Sequence, residues 1–242
     1  MNILVITDNE YIYQNFKKII EYDKYLYDDF QFMYSWNNRY FLQKYQDKNF
    51  KPINLKISSK DIVNIYDLVI SLHCKQIFPS ELVNGVRCIN VLPGLNPYNR
   101  GWYPQVFSIL NKLPAGVTIH EIDEKLDHGL IIIQNEIKIE DWETSYDVYK
   151  NIQIQEIILL EDSLKRIIDN NYNAFKPNIE GNINLKKDFN ELLEVDLEKS
   201  ATYREVIDFL RAMTYDGYKN AYFYDKNGIK VFVEIKFDIE EN

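Results

Sequence analysis

The chain has 242 residues, of which 46% are hydrophobic and 27% charged, the balance of a globular protein with a substantial core. A net charge of −9 argues against broad contact with a nucleic-acid backbone, which requires an excess of Lys and Arg. The first residues have no basic segment typical of a secretion signal, and no apolar run approaches the roughly 18 residues of a membrane span. The two cysteines, Cys74 and Cys88, each lie in an apolar run, which indicates reduced, buried thiols and a cytoplasmic location.

Alternating apolar runs and helical patterns predict an open, mostly parallel α/β sheet, Rossmann-like in architecture. Helices are predicted near 10–22 and 104–112. The strands are predicted at 3–6, 30–35, 67–72, 87–92, 116–122 and 130–139. Ligands bind outside the carboxyl ends of the strands in such sheets, so polar residues that follow strands are the first site candidates. Neither a G-x-G-x-x-G nor a G-x-x-x-x-G-K-[ST] sequence occurs, which argues against a dinucleotide fingerprint or a P-loop.

The sequence of the carboxyl-terminal part predicts a long helix followed by a separate small unit. The helix spans 144–170, with an apolar stripe that comprises Ile157, Leu160, Leu164, Ile167 and Ile168. A polar stretch follows, and we predict the domain boundary there, giving a catalytic domain at 1–180 and a subdomain at 181–242. The subdomain is predicted to hold a helix at 202–213 and a hairpin within 220–237. Asn227-Gly228 marks the hairpin turn.

The stretch SLHCKQIFP, residues 71–79, places polar side chains directly after a predicted strand. Lys75 offers a point charge for a phosphate, because a lysine ammonium at a strand end faces the crevice. The alternative is a surface lysine beside a packed histidine.

The stretch CINVLPGLNPYNRGWYPQ, residues 88–105, predicts a strand that runs into a loop constrained by Pro and Gly. Asn90 ends the strand, and Asn96, Asn99 and Arg100 follow in the loop. Amides and a guanidinium can bind a substrate, and the guanidinium fork suits phosphate. Asn, Pro and Gly also form turns for purely structural reasons, an alternative that is stronger for Asn96 than for Asn90.

The stretch GVTIHEIDEKLDHGLIII, residues 116–133, holds two histidines and several acids between two predicted strands. Asp127 is suited to orient a base or to shuttle a proton. His120, Asp123, Asp127 and His128 are all metal-ligand types, but their spacing matches no helix-face pattern and no cysteine lies near. We therefore expect no metal.

Together and in this order, these stretches resemble the formyltransferase superfamily that uses 10-formyltetrahydrofolate. They are most similar to the nucleotide-sugar N-formyltransferases, in the branch that formylates dTDP-linked amino-dideoxy sugars such as dTDP-4-amino-4,6-dideoxyglucose. LRAMTYDGYKNAYF, residues 210–223, resembles the small carboxyl-terminal unit of that branch, so the resemblance covers about residues 1–237. It implies a Rossmann-like formyltransferase domain with a small helix and β-hairpin unit, a homodimer, and a role in the synthesis of O-antigen, as part of lipopolysaccharide, or of another surface glycan.

The resemblance also implies the chemistry. A sugar amine attacks the formyl carbon, Asn90 stabilises the oxyanion, the histidine of an N-x-H-P sequence accepts the proton, and Asp127 orients that histidine. In this chain the histidine position holds Leu92.

The resemblance further implies two sets of ligand-binding residues. The residues implied for the nucleotide sugar are Lys75, Asn96, Tyr98, Asn99, Arg100, Arg211 and Tyr222. Those implied for the folate are Phe78, Arg87, Cys88, Ile89, His120, Ile122, Asp123 and Asp127.

Leu92 leaves three interpretations open, because leucine cannot accept a proton. The chain has reduced or lost activity with binding intact, or His120 or Asp127 replaces the base, or the proton leaves slowly through water. A non-catalytic protein that binds nucleotide sugar and folate is the alternative function. A methionyl-tRNA formyltransferase is disfavoured, since the carboxyl-terminal part is acidic. The sequence leaves open whether the sugar amine is at C-3 or C-4.

Overall fold

A seven-stranded sheet forms the centre of the computed structural model, which describes residues 1–45 and 49–240. The strands of the described residues are β1 (Asn2–Thr7), β2 (Asp29–Ser35), β3 (Phe50–Ile53), β4 (Leu68–Leu72), β5 (Arg87–Leu92), β6 (Arg100–Gly101), β7 (Ala115–Glu121), β8 (Ile131–Ile137), β9 (Ile183–Asn184), β10 (Tyr222–Tyr224) and β11 (Lys230–Phe232). The α-helices are α1 (Glu10–Ile20), α2 (Arg39–Lys44), α3 (Leu55–Ile65), α4 (Ser80–Gly85), α5 (Pro104–Asn111), α6 (Ser145–Ile168), α7 (Lys186–Asn190) and α8 (Tyr203–Met213).

The strand order in the main sheet is β3-β2-β1-β4-β5-β7-β8. The first five strands are parallel, whereas β7 runs antiparallel to β5 and β8 antiparallel to β7. The predicted Rossmann-like, mostly parallel sheet is confirmed. The antiparallel pair at one edge brings residues after β5 and residues along β7 to one place, because Asn90 lies opposite His120 in the register.

Local sequence explains the amino-terminal elements. Residues 3–6 of β1 are completely buried, as expected for a central strand covered on both faces. The side chain of Asn9 then caps α1 by accepting a hydrogen bond from the Ile12 N–H. The sequence analysis missed β3, whose short run includes Pro52. Pro52 is tolerated there because β3 is an edge strand, which leaves its nitrogen free of ladder bonds.

The long helix α6 packs its apolar stripe onto the sheet. Thr144 and Asp147 form a capping box at its amino end. Leu160, Leu164 and Ile167 are buried in the main core, as the sequence predicted. This helix packs against α1 and against β7 and β8 of the sheet, and it brings Tyr149 and Glu156 close to Asn9 and His73, which follow β1 and β4.

The carboxyl-terminal unit packs onto the rest of the chain. Helix α8 contacts α5, and Ala212, Met213 and Ala221 belong to the main core. β10 and β11 form the predicted hairpin, and Gly228 has φ +77° at its turn, a conformation that glycine adopts without strain. The segment before α7 is tied back by pairing of β9 with β6. The division into domains at residue 180 stays a prediction. None of the helices in the described ranges is both long and apolar enough to cross a membrane.

Candidate active site

A cavity of about 520 Å³ opens at the carboxyl ends of β4 and β5, where the fold class predicts a ligand site. Its wall includes eight of the residues that the sequence analysis selected: Lys75, Phe78, Asn90, Leu92, His120, Ile122, Asp123 and Asp127. Three separate stretches of the sequence therefore meet in one cleft. Trp102 and Leu126 also line it and were not selected.

The base of the cleft is formed by Asn90 and His120 on adjacent antiparallel strands. The side-chain amide Nδ2 of Asn90 lies 3.3 Å from Nε2 of His120. The other ring nitrogen, Nδ1, lies 2.7 Å from the carbonyl oxygen of Glu121, which can only accept, so Nδ1 carries a hydrogen. In the neutral imidazole, Nε2 therefore carries the lone pair and accepts from the Asn90 amide.

Asp127 completes this cluster from the loop between β7 and β8. Its backbone is left-handed at φ +48°, and its carboxylate accepts a hydrogen bond of 3.2 Å from the Gly101 N–H. Its Oδ1 lies 3.8 Å from Nε2 of His120. Gly129 allows the loop to return closely, because a Cβ there would lie 1.7 Å from the Glu121 carbonyl oxygen.

Burial shifts the pKa values of both ionisable groups in the cluster. The His120 side chain is almost completely buried, and desolvation lowers its pKa, opposed by the charge of Asp127. Desolvation raises the pKa of Asp127, opposed by His120, the Gly101 N–H and the charge of Arg100. The imidazole is therefore neutral near pH 7, and the carboxyl group is more basic than an ordinary aspartate.

Leu92 lies on the same strand as Asn90, two residues further, and lines the cleft with a 9% exposed side chain. Alternation along a strand places the two side chains on the same face. Its cross-strand partner Thr118 offers no substitute base, since that hydroxyl is bonded to the Gly94 carbonyl and the Asn96 N–H. The centre thus contains an amide, one imidazole and one carboxyl group, with a leucine where the resemblance implies the base.

The side chains of Asn96 and Asn99, in the loop after β5, lie outside the wall of the cleft. Asn99 is buried and contacts Ser108, Asn111, Asn182 and Asn184 through its side chain. Asn96 is also buried and holds the site loop, because its Nδ2 donates to the Asp127 carbonyl at 2.9 Å. Neither side chain lines the cleft, and their selection as contacts to the nucleotide sugar stays a prediction.

Tyr98 and Arg100 also lie outside the wall of the cleft. The Arg100 guanidinium pairs with Glu180 at 3.2 Å, on the far side of Asp127. The guanidinium thus acts on Asp127 through its charge, and the expectation that it contacts the nucleotide sugar stays a prediction.

Two residues of the carboxyl-terminal unit are likewise away from the cleft. Arg211 is buried, and its guanidinium donates to Asp208 and to the carbonyls of Glu140 and Glu143. Tyr222 lies in the hairpin, with the Lys230 ammonium 3.4 Å from its ring centroid. Both support the packing of the carboxyl-terminal unit, and their selection as nucleotide contacts stays a prediction.

The first three residues of β5 also point their side chains away from the cleft. Arg87 donates to the Asn170 side chain and the Ile168 carbonyl. Cys88 and Ile89 belong to the core on opposite faces of the sheet. Only the backbone of this segment reaches the site region, where the Cys88 carbonyl accepts from the Ile122 N–H at 2.8 Å. Their selection as residues near the folate stays a prediction, and it would involve the backbone of this segment.

The sequence analysis missed a buried acid at a second corner of the cleft. His73, which lines the cleft with φ +59°, has its Nε2 2.7 Å from Glu156 of α6, and its Nδ1 lies near Asn9 and Tyr149. Glu156 is completely buried. A glutamate four residues before Leu160, on the buried stripe of an amphipathic helix, is the signal that could have revealed it.

In the described ranges, no group of three or more His, Cys, Asp or Glu side chains is arranged to hold a metal ion.

Comparison with known proteins agrees with this geometry. Residues 56–164 match the formyl transferase family, and residues 188–241 match the N-formyltransferase dimerization C-terminal domain. A dTDP-4-amino-4,6-dideoxyglucose formyltransferase of Mycobacterium tuberculosis is 51% identical over 181 residues, which cover 75% of this chain and 77% of the relative. The crystal structure of a 4-N formyltransferase from Francisella tularensis is 46% identical, with a TM-score of 0.94, covering 99% of this chain and 98% of the other.

The structure of a sugar N-formyltransferase from Shewanella is 40% identical, again with a TM-score of 0.94, and covers 100% of this chain and 99% of the other. The similarity thus extends over the whole fold and includes both the cleft and the carboxyl-terminal unit. The chain belongs to the formyltransferase family, in its sugar N-formyltransferase branch.

Proposed function

We propose that the chain transfers a formyl group from 10-formyltetrahydrofolate to the amino group of a dTDP-linked amino-dideoxy sugar, at a rate that Leu92 reduces. The observation that carries this proposal is the cluster of Asn90, His120 and Asp127 at the base of one cleft. Its amide, imidazole and carboxyl group are the groups that acyl transfer to an amine uses: a donor for the developing oxyanion and acceptors for a proton.

The cleft suits a folate as formyl donor. Phe78, Ile122 and Leu126 provide apolar surface for a flat ring, and Trp102, which is half exposed, also lines the cleft. The Asn90 amide at the base can donate to the formyl oxygen by turning from Nε2 of His120, which lies 3.3 Å from its Nδ2. This arrangement stabilises negative charge on that oxygen when the amine attacks.

Lys75 is suited to hold the diphosphate of the nucleotide sugar. Its backbone N–H donates to the buried Asp8 carboxylate at 2.8 Å, which fixes the start of the side chain. The side chain itself is exposed and lines the cleft. A fixed base with an ammonium in the cleft provides a point charge for phosphate oxygens.

The position of the amine is proposed from the relatives. The M. tuberculosis relative is a dTDP-4-amino-4,6-dideoxyglucose formyltransferase, and the F. tularensis structure is that of a 4-N formyltransferase. We therefore propose dTDP-4-amino-4,6-dideoxyglucose, with the amine at C-4, as the substrate. Its formamido product would enter the O-antigen of lipopolysaccharide or another surface glycan.

A homodimer is proposed for the carboxyl-terminal unit, where residues 188–241 match a dimerization domain. The unit exposes several large apolar side chains, namely Leu197, Tyr224, Ile229, Val231 and Phe232. Exposed apolar side chains beside an open two-stranded sheet are suited to pairing with a second copy. We also propose a cytoplasmic location, which agrees with two cysteines that are not joined in a disulfide.

The position of Leu92 favours one alternative, a protein that binds nucleotide sugar and folate without catalysis. Calorimetry and a formylation assay separate the two functions. Binding of dTDP-4-amino-4,6-dideoxyglucose together with slow formation of its formamido product, faster with the C-4 amine than with a C-3 isomer, supports the proposal. Binding without product in this chain and in Leu92→His supports the alternative. Absence of dTDP-sugar binding contradicts both.

A further inference from the structure

The cleft contains a second group that can accept the amine proton even though position 92 is a leucine. The chain has three histidines, at positions 73, 120 and 128. His128 does not line the cleft, and its Nδ1 is 2.7 Å from the Asp123 carboxylate. His73 lies at another corner of the cleft, where it pairs with Glu156 and lies near Asn9 and Tyr149. His120 is the one whose unprotonated nitrogen lies beside Asn90 and Asp127.

His120 and Asp127 lie next to each other as two proton acceptors with no hydrogen between them. Their closest atoms, Nε2 and Oδ1, are 3.8 Å apart, too far for a hydrogen bond. Both atoms are acceptors, because Nδ1 already carries the ring hydrogen and directs it to the Glu121 carbonyl, and Nε2 accepts from the Asn90 amide. A proton on Nε2 would create an imidazolium–carboxylate ion pair.

The charge balance of the surroundings favours uptake of that proton. Asp127 has a side chain that is 9% exposed and receives one N–H bond at its other oxygen, from Gly101. A buried carboxylate next to a neutral imidazole costs desolvation free energy. When the imidazole takes a proton, its positive charge balances the carboxylate, and the pair has no net charge. The positive charge of Arg100 opposes the rise that burial causes in the pKa of Asp127.

We propose that His120 and Asp127 together are the proton acceptor of this chain, with Nε2 as the atom that takes the proton. The inference rests on the proposed formyl transfer. As the amine nitrogen bonds to the formyl carbon, its N–H bond breaks and an Nε2–H bond forms, while Asp127 holds the imidazolium. The proton then passes from Nε2 to the folate nitrogen as the bond between that nitrogen and the formyl carbon breaks. The Asn90 amide turns from Nε2 to the formyl oxygen, which frees the lone pair.

The test compares His120→Asn in this chain with the same change in a Leu92→His background. Asparagine can keep the donor at the Nδ1 position for the Glu121 carbonyl while it removes Nε2. Product formation from 10-formyltetrahydrofolate and dTDP-4-amino-4,6-dideoxyglucose is followed by chromatography. In this chain, we expect kcat/KM to fall at least about 100-fold, the size of a lost general base. With histidine at position 92 the loss should be below about 10-fold, since the new imidazole takes the proton.

The matched control is His128→Gln, which removes an imidazole next to Asp127 but outside the cleft and should leave the rate unchanged. Thermal unfolding and dTDP binding of each variant identify a misfolded protein, and activity of the double variant shows directly that His120→Asn folds.

An equal loss in both backgrounds would assign His120 a positioning role and overturn the proposal. An active Leu92→His variant beside a native chain no faster than the uncatalysed reaction would overturn this inference alone. No product from either would overturn the proposed function as well.

Discussion

Replacement of Leu92 by histidine is expected to accelerate formyl transfer by about 100-fold, because a general base contributes about 100- to 10,000-fold in all and His120 with Asp127 already supplies about 100-fold of it. This corresponds to roughly 2.7 kcal/mol of transition-state stabilisation, at about 1.36 kcal/mol for each factor of ten. The gain requires the new imidazole to point with Asn90 into the cleft. The two positions alternate onto the same face of β5, and Leu92 already lines the cavity.

The same replacement should leave folding and binding largely intact. Full burial of a leucine side chain contributes about 1.5 to 3 kcal/mol relative to exposure, which sets an upper limit on the stability loss. The actual loss should be smaller, because histidine fills a similar volume and the side chain faces an open cleft. The affinity for the dTDP-sugar should change by no more than a few-fold, since Lys75 on the loop after β4 is untouched.

The assay measures initial rates of formamido-sugar formation across pH, together with KM for both substrates. A free-standing imidazole base with a pKa of about 6.5 must be deprotonated to act, so the rate of Leu92→His should rise with pH through that region and then level off. Leu92→Gln is the matched control, a polar side chain of similar size without a basic nitrogen. A native rate that is already high and unchanged by Leu92→His, or an equal gain from Leu92→Gln, would refute the reasoning.

Three further predictions concern the surroundings of this position. In a Leu92→His background, Asp127→Asn should lower turnover by at least about 100-fold with ligand affinity within a few-fold, since it removes the charge that holds an imidazolium; unchanged turnover would make Asp127 a turn residue only. Lys75→Ala should weaken dTDP-sugar binding in calorimetry by about 1 to 3 kcal/mol. Arg100→Ala breaks a pair with Glu180 outside the cleft and should change the dTDP-sugar affinity by a few-fold at most. Burial raises the pKa of the Cys74 thiol to about 12, so iodoacetamide at pH 8 should label it slowly in the folded protein and quickly after addition of urea; equal labelling in both states would contradict this.

Much of the fold and part of the site could be predicted from local sequence. Apolar runs such as residues 3–6 and 68–72 form buried strands because a parallel sheet covered on both faces requires continuous hydrophobicity. Polar residues near the ends of predicted strands were then selected as site candidates. Lys75, Asn90 and Asp127 are among them, and all three line the cleft. Leu92 was identified as the departure from the family pattern by sequence alone, because the flanking residues match without a gap.

Only the tertiary structure decided which polar side chains face the cleft and which hold the protein together. Asn99, Arg100 and Arg211 have the residue types of a phosphate site, yet their partners are Asn182, Glu180 and Asp208. Two of these partners are at least 80 residues away in sequence, and the direction of a loop side chain depends on such contacts.

The sequence by itself thus determined the sheet, the helices and the residue types at the strand ends, since these follow from local hydrophobic periodicity and motif spacing. The tertiary structure decided that β7 returns antiparallel beside β5, and this pairing places His120 opposite Asn90. It also placed the completely buried Glu156 against His73 from a helix more than 80 residues later. Such juxtapositions depend on how the chain crosses the sheet, which local periodicity does not encode.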